Sequence, residues 1–220
     1  MSVINQPPAH ESIVIETSME RFYAHRRKPH EMIILHPRTI SGPFNALARH
    51  LLERHPCYGV AKAHDEMLQT LYSCEALEAM SGIPDALDDA MGLIVSDMNE
   101  MARQTGVQPF LRVIAPGGYA VGTYVYHEDT PKHLSALGAC ERLVCCYNGP
   151  TTEGLLEEDA SFVSCGGDGP EYMAMPGAAP FRFGIGNIWR HACMGGEAPA
   201  FIHRAVDIPA GHPPRLMVVC

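Results

Sequence analysis

The chain has no run of about eighteen apolar residues, so a membrane-spanning helix is not expected. Its first residues, MSVINQPPAHES, contain no apolar signal core. The eight cysteines include no Cys-x-x-Cys pair. That spacing excludes a disulfide scaffold and the paired ligands of a structural zinc site. Basic charge is also short: the formal net charge of -9 excludes a nucleic-acid binder working through a broad basic face. No Gly-x-Ser-x-Gly, Walker A or His-Glu-x-x-His pattern occurs. Gly117, Gly118 and Gly122 precede a strand-like segment rather than a helix, so they form no phosphate cradle. Together these absences lead us to expect reduced thiols, a cytoplasmic address, and no nucleic-acid or membrane partner.

Apolar content is ordinary, and 220 residues suffice for one domain with a real core. Residues 1–108 read as mainly helical support and residues 109–220 as a β core. Ser41-Gly-Pro43 looks like a helix start, followed by Phe44, Leu47, Ala48, Leu51 and Leu52 at helical spacing. A second helix is expected over Ala61 to Met80. A third runs from Pro84 to Gln104, with the stripe Leu87, Met91, Ile94, Met98 and Met101, and Gly106 ends it. Arg21 to His30 reads as a solvated arm or turn. Expected strands are Met32–Leu35, Phe110–Ala115, Tyr119–His127, Arg142–Tyr147, Phe181–Ile188, Ala200–Val206 and Arg215–Cys220, punctuated by Gly and Pro. A helical block followed by short strands predicts an α+β chain whose helices back a β-sandwich or jelly roll.

The chemistry-bearing stretch is His127-Glu-Asp129. Side chains two apart in a strand share a face, so His127 and Asp129 can grip one metal ion while Glu128 points away. His203 lies on a later apolar run, Ala200-Phe-Ile-His203. Two histidines and one carboxylate form the facial triad of non-haem Fe(II) oxygenases. Arg215, twelve residues further on, could hold the carboxylate of an acidic co-substrate with its forked donors. Arg204 is a weaker candidate because it alternates away from His203. Tyr147 and Glu153 are read as lining the pocket. His64-Asp-Glu66 sits in helical sequence, where residues two apart diverge, and reads as a solvated face. His133, His191 and His212 read as loop positions, although His133 could act as a substitute ligand. Cys145 and Cys146 should face opposite sides of a strand as buried thiols; a thiolate catalyst there is the minority reading.

Two segments resemble a known family. Arg142-Leu-Val-Cys-Cys-Tyr-Asn-Gly-Pro-Thr-Thr-Glu153 is similar to the block R-L-L-C-T-Y-x-G-P-G-T-E-W of the bacterial family called domain of unknown function 1826. Ile202-His-Arg and the closing Arg215-Leu-Met resemble that family's final I-H-R-S-P-P…R-L-L-L stretch, and His127-Glu-Asp129 matches its H-x-D. The resemblance covers roughly Val95 to Cys220. There are departures: Thr130 to Glu141 separates the H-x-D from the next block, Gly154 replaces Trp, Thr151 replaces Gly, and Ala205-Val206 replaces Ser-Pro. These bear on the pocket more than on the triad. The family in turn looks similar to the Fe(II)/2-oxoglutarate dioxygenase superfamily, which has the same H-x-D…H…R order. The resemblance implies a double-stranded β-helix (jelly roll) with N-terminal helices packed on one sheet. It also implies Fe(II) held by His127, Asp129 and His203, with 2-oxoglutarate as co-substrate on Arg215 and a small molecule as the substrate oxidised. Two other readings stay open at this point. One is a cupin-like protein that binds or handles a metal such as Zn(II) without turnover, with His133 filling the fourth position. The other is a ligand-binding barrel whose His and Asp are only hydrogen-bonded. Oligomeric state is not legible.

Overall fold

The computed structural model describes residues 6–54, 69–117, 125–129, 141–166 and 169–220. No helix among them is long and apolar enough to cross a membrane. The helices are α1 (Met19–Ala24), α2 (Phe44–Arg54), α3 (Cys74–Glu78) and α4 (Asp85–Thr105). Side-chain caps start two of them: Ser18 Oγ accepts from the Arg21 amide, and Ser73 Oγ from the Ala76 amide. Pro43, not Ser41, sits at the head of α2, where its carbonyl accepts from Ala46 and Leu47. Asp85 and Asp88 complement the positive end of α4. Gly106 closes that helix in the left-handed region (φ 72°), its N–H bonded to the Ala102 carbonyl.

Two sheets form the rest. The seven-stranded sheet runs in the order β1 (Ile13–Ile15), β2 (Ile33–His36), β11 (Ile188–Ala192), β6 (Glu141–Cys146), β13 (Arg215–Val219), β4 (Phe110–Ile114), β3 (Gln69–Tyr72). The six-stranded sheet runs β10 (Phe181–Arg182), β7 (Glu153–Leu155), β12 (Ile202–Arg204), β5 (Tyr126–His127), β9 (Gly169–Ala174), β8 (Ala160–Gly166). From β4 onward, setting aside the β8–β9 hairpin, successive strands cross between the sheets, apart from the step β7 to β10. That alternation is compatible with a jelly roll; the two sheets do not close into a barrel among the described residues.

Strand parity separates two cores. Leu143, Cys145, Ile188, Leu216 and Val218 face the helices, where Leu87, Met91, Ile94, Met98 and Met101 of α4 pack with Leu47 and Leu51 of α2. Val144, Cys146, Trp189 and Met217 face the six-stranded sheet and meet Phe181, Phe183 and Phe201. Burying each such side chain contributes roughly 1.5–3 kcal/mol. Cys145 and Cys146 thus point to opposite faces. Burial pushes the Cys145 thiol up to about 12, which removes it as a thiolate catalyst at neutral pH.

Several sequence expectations are corrected. Within residues 1–108, β1 and β3 join the seven-stranded sheet in addition to β2, where a strand at Met32–Leu35 is expected from sequence. Gln69 to Tyr72 is a strand rather than part of a helix; Thr70 and Tyr72 favour a pleated surface, and pairing with β4 overrides the helical spacing. Residues 61–68 of that expected helix lie outside the described residues, as do 119–124 of the expected strand ending at His127. The run Phe181 to Ile188 is broken by Gly184 and Gly186, whose φ of 80° and 84° lets the chain pass from one sheet to the other. Arg27 is no solvated arm residue: its Nε lies 2.6 Å from Glu141 and its side chain is largely buried.

Candidate metal centre

His127 ends β5, and His203 sits directly opposite it on β12 in the antiparallel register. Paired residues share a face, so both imidazoles project into the space between the sheets, their ring centroids 4.8 Å apart. Gly154 of β7 is the next residue across from His203 on that face. A Cβ there would lie 2.5 Å from Phe201 and 2.8 Å from Phe181, so the aromatic packing that backs the histidines requires glycine.

Each imidazole is aimed by its own strand. His127 Nδ1 donates to the Val125 carbonyl at 2.9 Å, and His203 Nδ1 to the Phe201 carbonyl at 3.0 Å. That tautomer leaves both Nε2 atoms as lone pairs, the arrangement in which a histidine serves a metal. Asp129 follows β5 and is almost fully buried. One ligand atom from each of His127, Asp129 and His203 lies within 4.8 Å of the others. His203 Nε2 is 3.7 Å from Asp129 Oδ2. Two cis ligands at metal bonds of about 2.1 Å stand about 3 Å apart, so the donor set fits a divalent ion with little closing.

The seven-stranded sheet supplies the rest of the environment. Arg142 NH1 contacts Asp129 Oδ1 at 3.0 Å and Oδ2 at 2.9 Å. His191 Nε2 lies 3.0 Å from Oδ2. Burial favours a protonated Asp129, yet the hydrogen bond from His191 and the guanidinium of Arg142 outweigh it and hold the carboxyl well below its usual range. Burial lowers His203 from 6.5 to about 3, against the pull of Asp129, and lowers His191 as well. With both imidazoles neutral at pH 7, the positive charge facing Asp129 is that of Arg142.

Other residues singled out from sequence fall as follows. Arg215 is buried and shares the inward face of β13 with Met217; its NH2 lies 2.9 Å from Thr152 Oγ1 and 3.3 Å from Cys146 Sγ. Cys146 and Met217 belong to the core between the sheets, so Arg215 lies between the sheets, as the histidines do. Tyr147 does not line this space. It faces the helices, donates to Asp97 Oδ2 at 2.6 Å and packs on Phe44, because parity turns it opposite to Cys146. Glu153 is likewise displaced to the outer face of the six-stranded sheet, where Tyr126 donates to it at 2.6 Å and Arg204 NH2 lies at 2.6 Å. Glu128 also points outward, accepting from Tyr172. His212 is exposed. His64 and His133 lie outside the described residues. His191 and Arg142 are the residues that sequence reasoning missed as neighbours of the centre. Ending the strand at Ile188 hid His191; carried to Ala192, the same period-2 rule puts it beside Trp189 on the inner face.

No family model matches the chain, and no curated protein matches it. Among solved structures, a protein from Shewanella oneidensis described provisionally as an oxygenase aligns with a TM-score of 0.43 and 10% identity, over 98% of this chain and 89% of that one. A C-terminally truncated protein of Neurospora crassa, solved in its apo form, aligns with a TM-score of 0.33 and 11% identity, over 87% of this chain and 82% of that one. Both are loose matches, and neither decides which residues do chemistry here.

Proposed function

We propose that this chain is a non-haem Fe(II) oxygenase of double-stranded β-helix type that uses 2-oxoglutarate to oxidise a small molecule. One observation carries the reading: two imidazole lone pairs and an ionised carboxylate converge, with Asp129 and His203 buried and His127 half-buried. Arg142 balances the carboxylate's charge but not the two imidazole lone pairs, and two histidines plus one carboxylate leave open positions suited to Fe(II). A bound Fe(II) would supply O2 activation there. The chain's own residues would do the remainder. The Val125 and Phe201 carbonyls hold the imidazoles in aim, and Arg142 and His191 fix the carboxylate plane. The aromatic wall of Phe181, Phe183 and Phe201 excludes water. Arg215 would take the distal carboxylate of 2-oxoglutarate, assisted by Thr152.

Anaerobic addition of Fe(II) followed by 2-oxoglutarate tests this. A weak visible charge-transfer band should appear in the wild type. Arg215→Ala should lose the band and any turnover while keeping its iron. Full turnover by Arg215→Ala would reject the co-substrate role, and failure of the wild type to bind Fe(II) would reject the oxygenase. A second reading is non-catalytic metal handling. It is favoured by the near-complete burial of Asp129 and His203, which suits retention of an ion as well as reaction at one.

A further inference from the structure

A second donor set shares Asp129. His191 and Cys193, two apart on and just beyond β11, lie with Asp129 so that one ligand atom from each is within 4.8 Å of the others. All three residues are buried. The sequence carries the signal as His191-Ala-Cys193, the same i, i+2 spacing as His127-Glu-Asp129 but on the opposite sheet.

His191 differs from the other two imidazoles in one respect. Its Nδ1 is buried and has no hydrogen-bond partner among the described residues, whereas Nδ1 of His127 and of His203 is committed to a carbonyl. Its Nε2 faces the ionised Asp129 at 3.0 Å and therefore carries the proton, which leaves Nδ1 as a buried lone pair that can face a cation. A buried imidazole nitrogen left unsatisfied costs roughly 1–3 kcal/mol, which a bound ion would remove.

We propose that Asp129, His191 and Cys193 form a second metal position of thiolate character, which takes a Zn(II)-class ion in competition with the 2-His-1-carboxylate set. Softness sorts the two positions. Thiolate with imidazole suits Zn(II), while two imidazoles and a carboxylate suit Fe(II). Competition follows from the shared ligand and from Arg142, whose guanidinium already faces Asp129 and disfavours two dications around it. Binding releases the Cys193 thiol proton to solvent. Zn(II) would therefore act as an inhibitor that draws away the carboxylate on which the first set depends. The donor geometry stands apart from the oxygenase reading and shares only Asp129 with it.

Co(II) added to the metal-free protein is the probe. The wild type should show near-ultraviolet sulfur-to-cobalt charge transfer. Cys193→Ser should lose it, and His127→Ala should keep it. Absence from the wild type, persistence in Cys193→Ser, or loss in His127→Ala would each overturn the proposal. Should Cys193→Ser not fold, the Zn(II)-loaded wild type decides. X-ray absorption should find a sulfur at about 2.3 Å, and an all-nitrogen-and-oxygen shell would overturn the proposal. Zn(II) should displace Fe(II) from the wild type, and Cys193→Ser should need more than about 100-fold higher Zn(II), beyond the 10–100-fold of losing a residue that only orients a ligand. Fe(II) binding and the 2-oxoglutarate band should survive in Cys193→Ser. Their loss from the wild type with sulfur-to-cobalt absorption intact would sink the oxygenase reading alone.

Discussion

The seven-stranded sheet has an aspartate on each face, and the two are partnered differently. On the helix side, Asp97 of α4 receives Arg38 through both carboxylate oxygens and the Tyr147 hydroxyl at 2.6 Å. Every group around it is a donor, so its charge is spent inside the protein and it ties α4 to the sheet. Between the sheets, Asp129 also has a guanidinium, but its other neighbours are neutral imidazoles. Arg142 and His191 donate to it, whereas His203, 3.7 Å away, turns a lone pair toward it. Both carboxylates are buried, so burial alone does not separate a structural lock from a candidate ligand. The polarity of the partners does.

Four measurements would break or sharpen that contrast. Acid should act hardest on the Asp129 side. In the metal-free protein His203 titrates near 3 when folded but near 6.5 when unfolded, so the unfolded chain binds more protons between those values. Stability should fall by about 1.4 kcal/mol per pH unit as pH drops through that window. Asp129, depressed when folded, adds to the loss below its usual range. Denaturant unfolding across this range should show a slope that His203→Gln flattens; equal slopes would remove His203 as the cause.

Asp97→Ala should rank next, at about 3–5 kcal/mol of stability, because Arg38 and Tyr147 are left buried without their acceptor. Its metal content should match the wild type; a fall would merge the two aspartates into one class. Asp129→Ala should behave conversely, weakening metal binding by more than about 100-fold, or about 2.7 kcal/mol. Equilibrium dialysis checks this, and unchanged binding would leave Asp129 as a second structural lock. Gly154→Ala should cost about 1–3 kcal/mol by overpacking against Phe201 and Phe181. Because Phe201 stacks on His203 at 5.2 Å, metal affinity should drop with it. Thermal melts with and without metal would separate the two effects.

The contrast also shows which parts were legible in sequence. The α4 stripe and its Gly106 stop are local patterns, and the structure has them where the sequence puts them. The pairing of His127 with Asp129 is local as well, since it needs only strand parity. Strand β3 was not legible, because what decides between helix and strand at Gln69 to Tyr72 is a ladder with residues 110–114, far along the chain. Tyr147 and Glu153 show the reverse error. Both lie near centre residues in sequence, yet parity sends one to the helices and the other to the outer sheet face. Arg142 opens a recognisable motif, but its place beside Asp129 depends on two sheets coming together, which no spacing reveals.

The hydrogen bonds from His127 to Val125 and from His203 to Phe201 have a consequence for how such a protein can change over time. Each imidazole leans on a carbonyl two residues earlier, just before its own strand, so its direction is inherited from the backbone. Mutation of wall residues that touch neither ring, unlike Phe201, can reshape the surroundings without re-aiming either nitrogen. The aim of the two imidazoles thus travels with their strands.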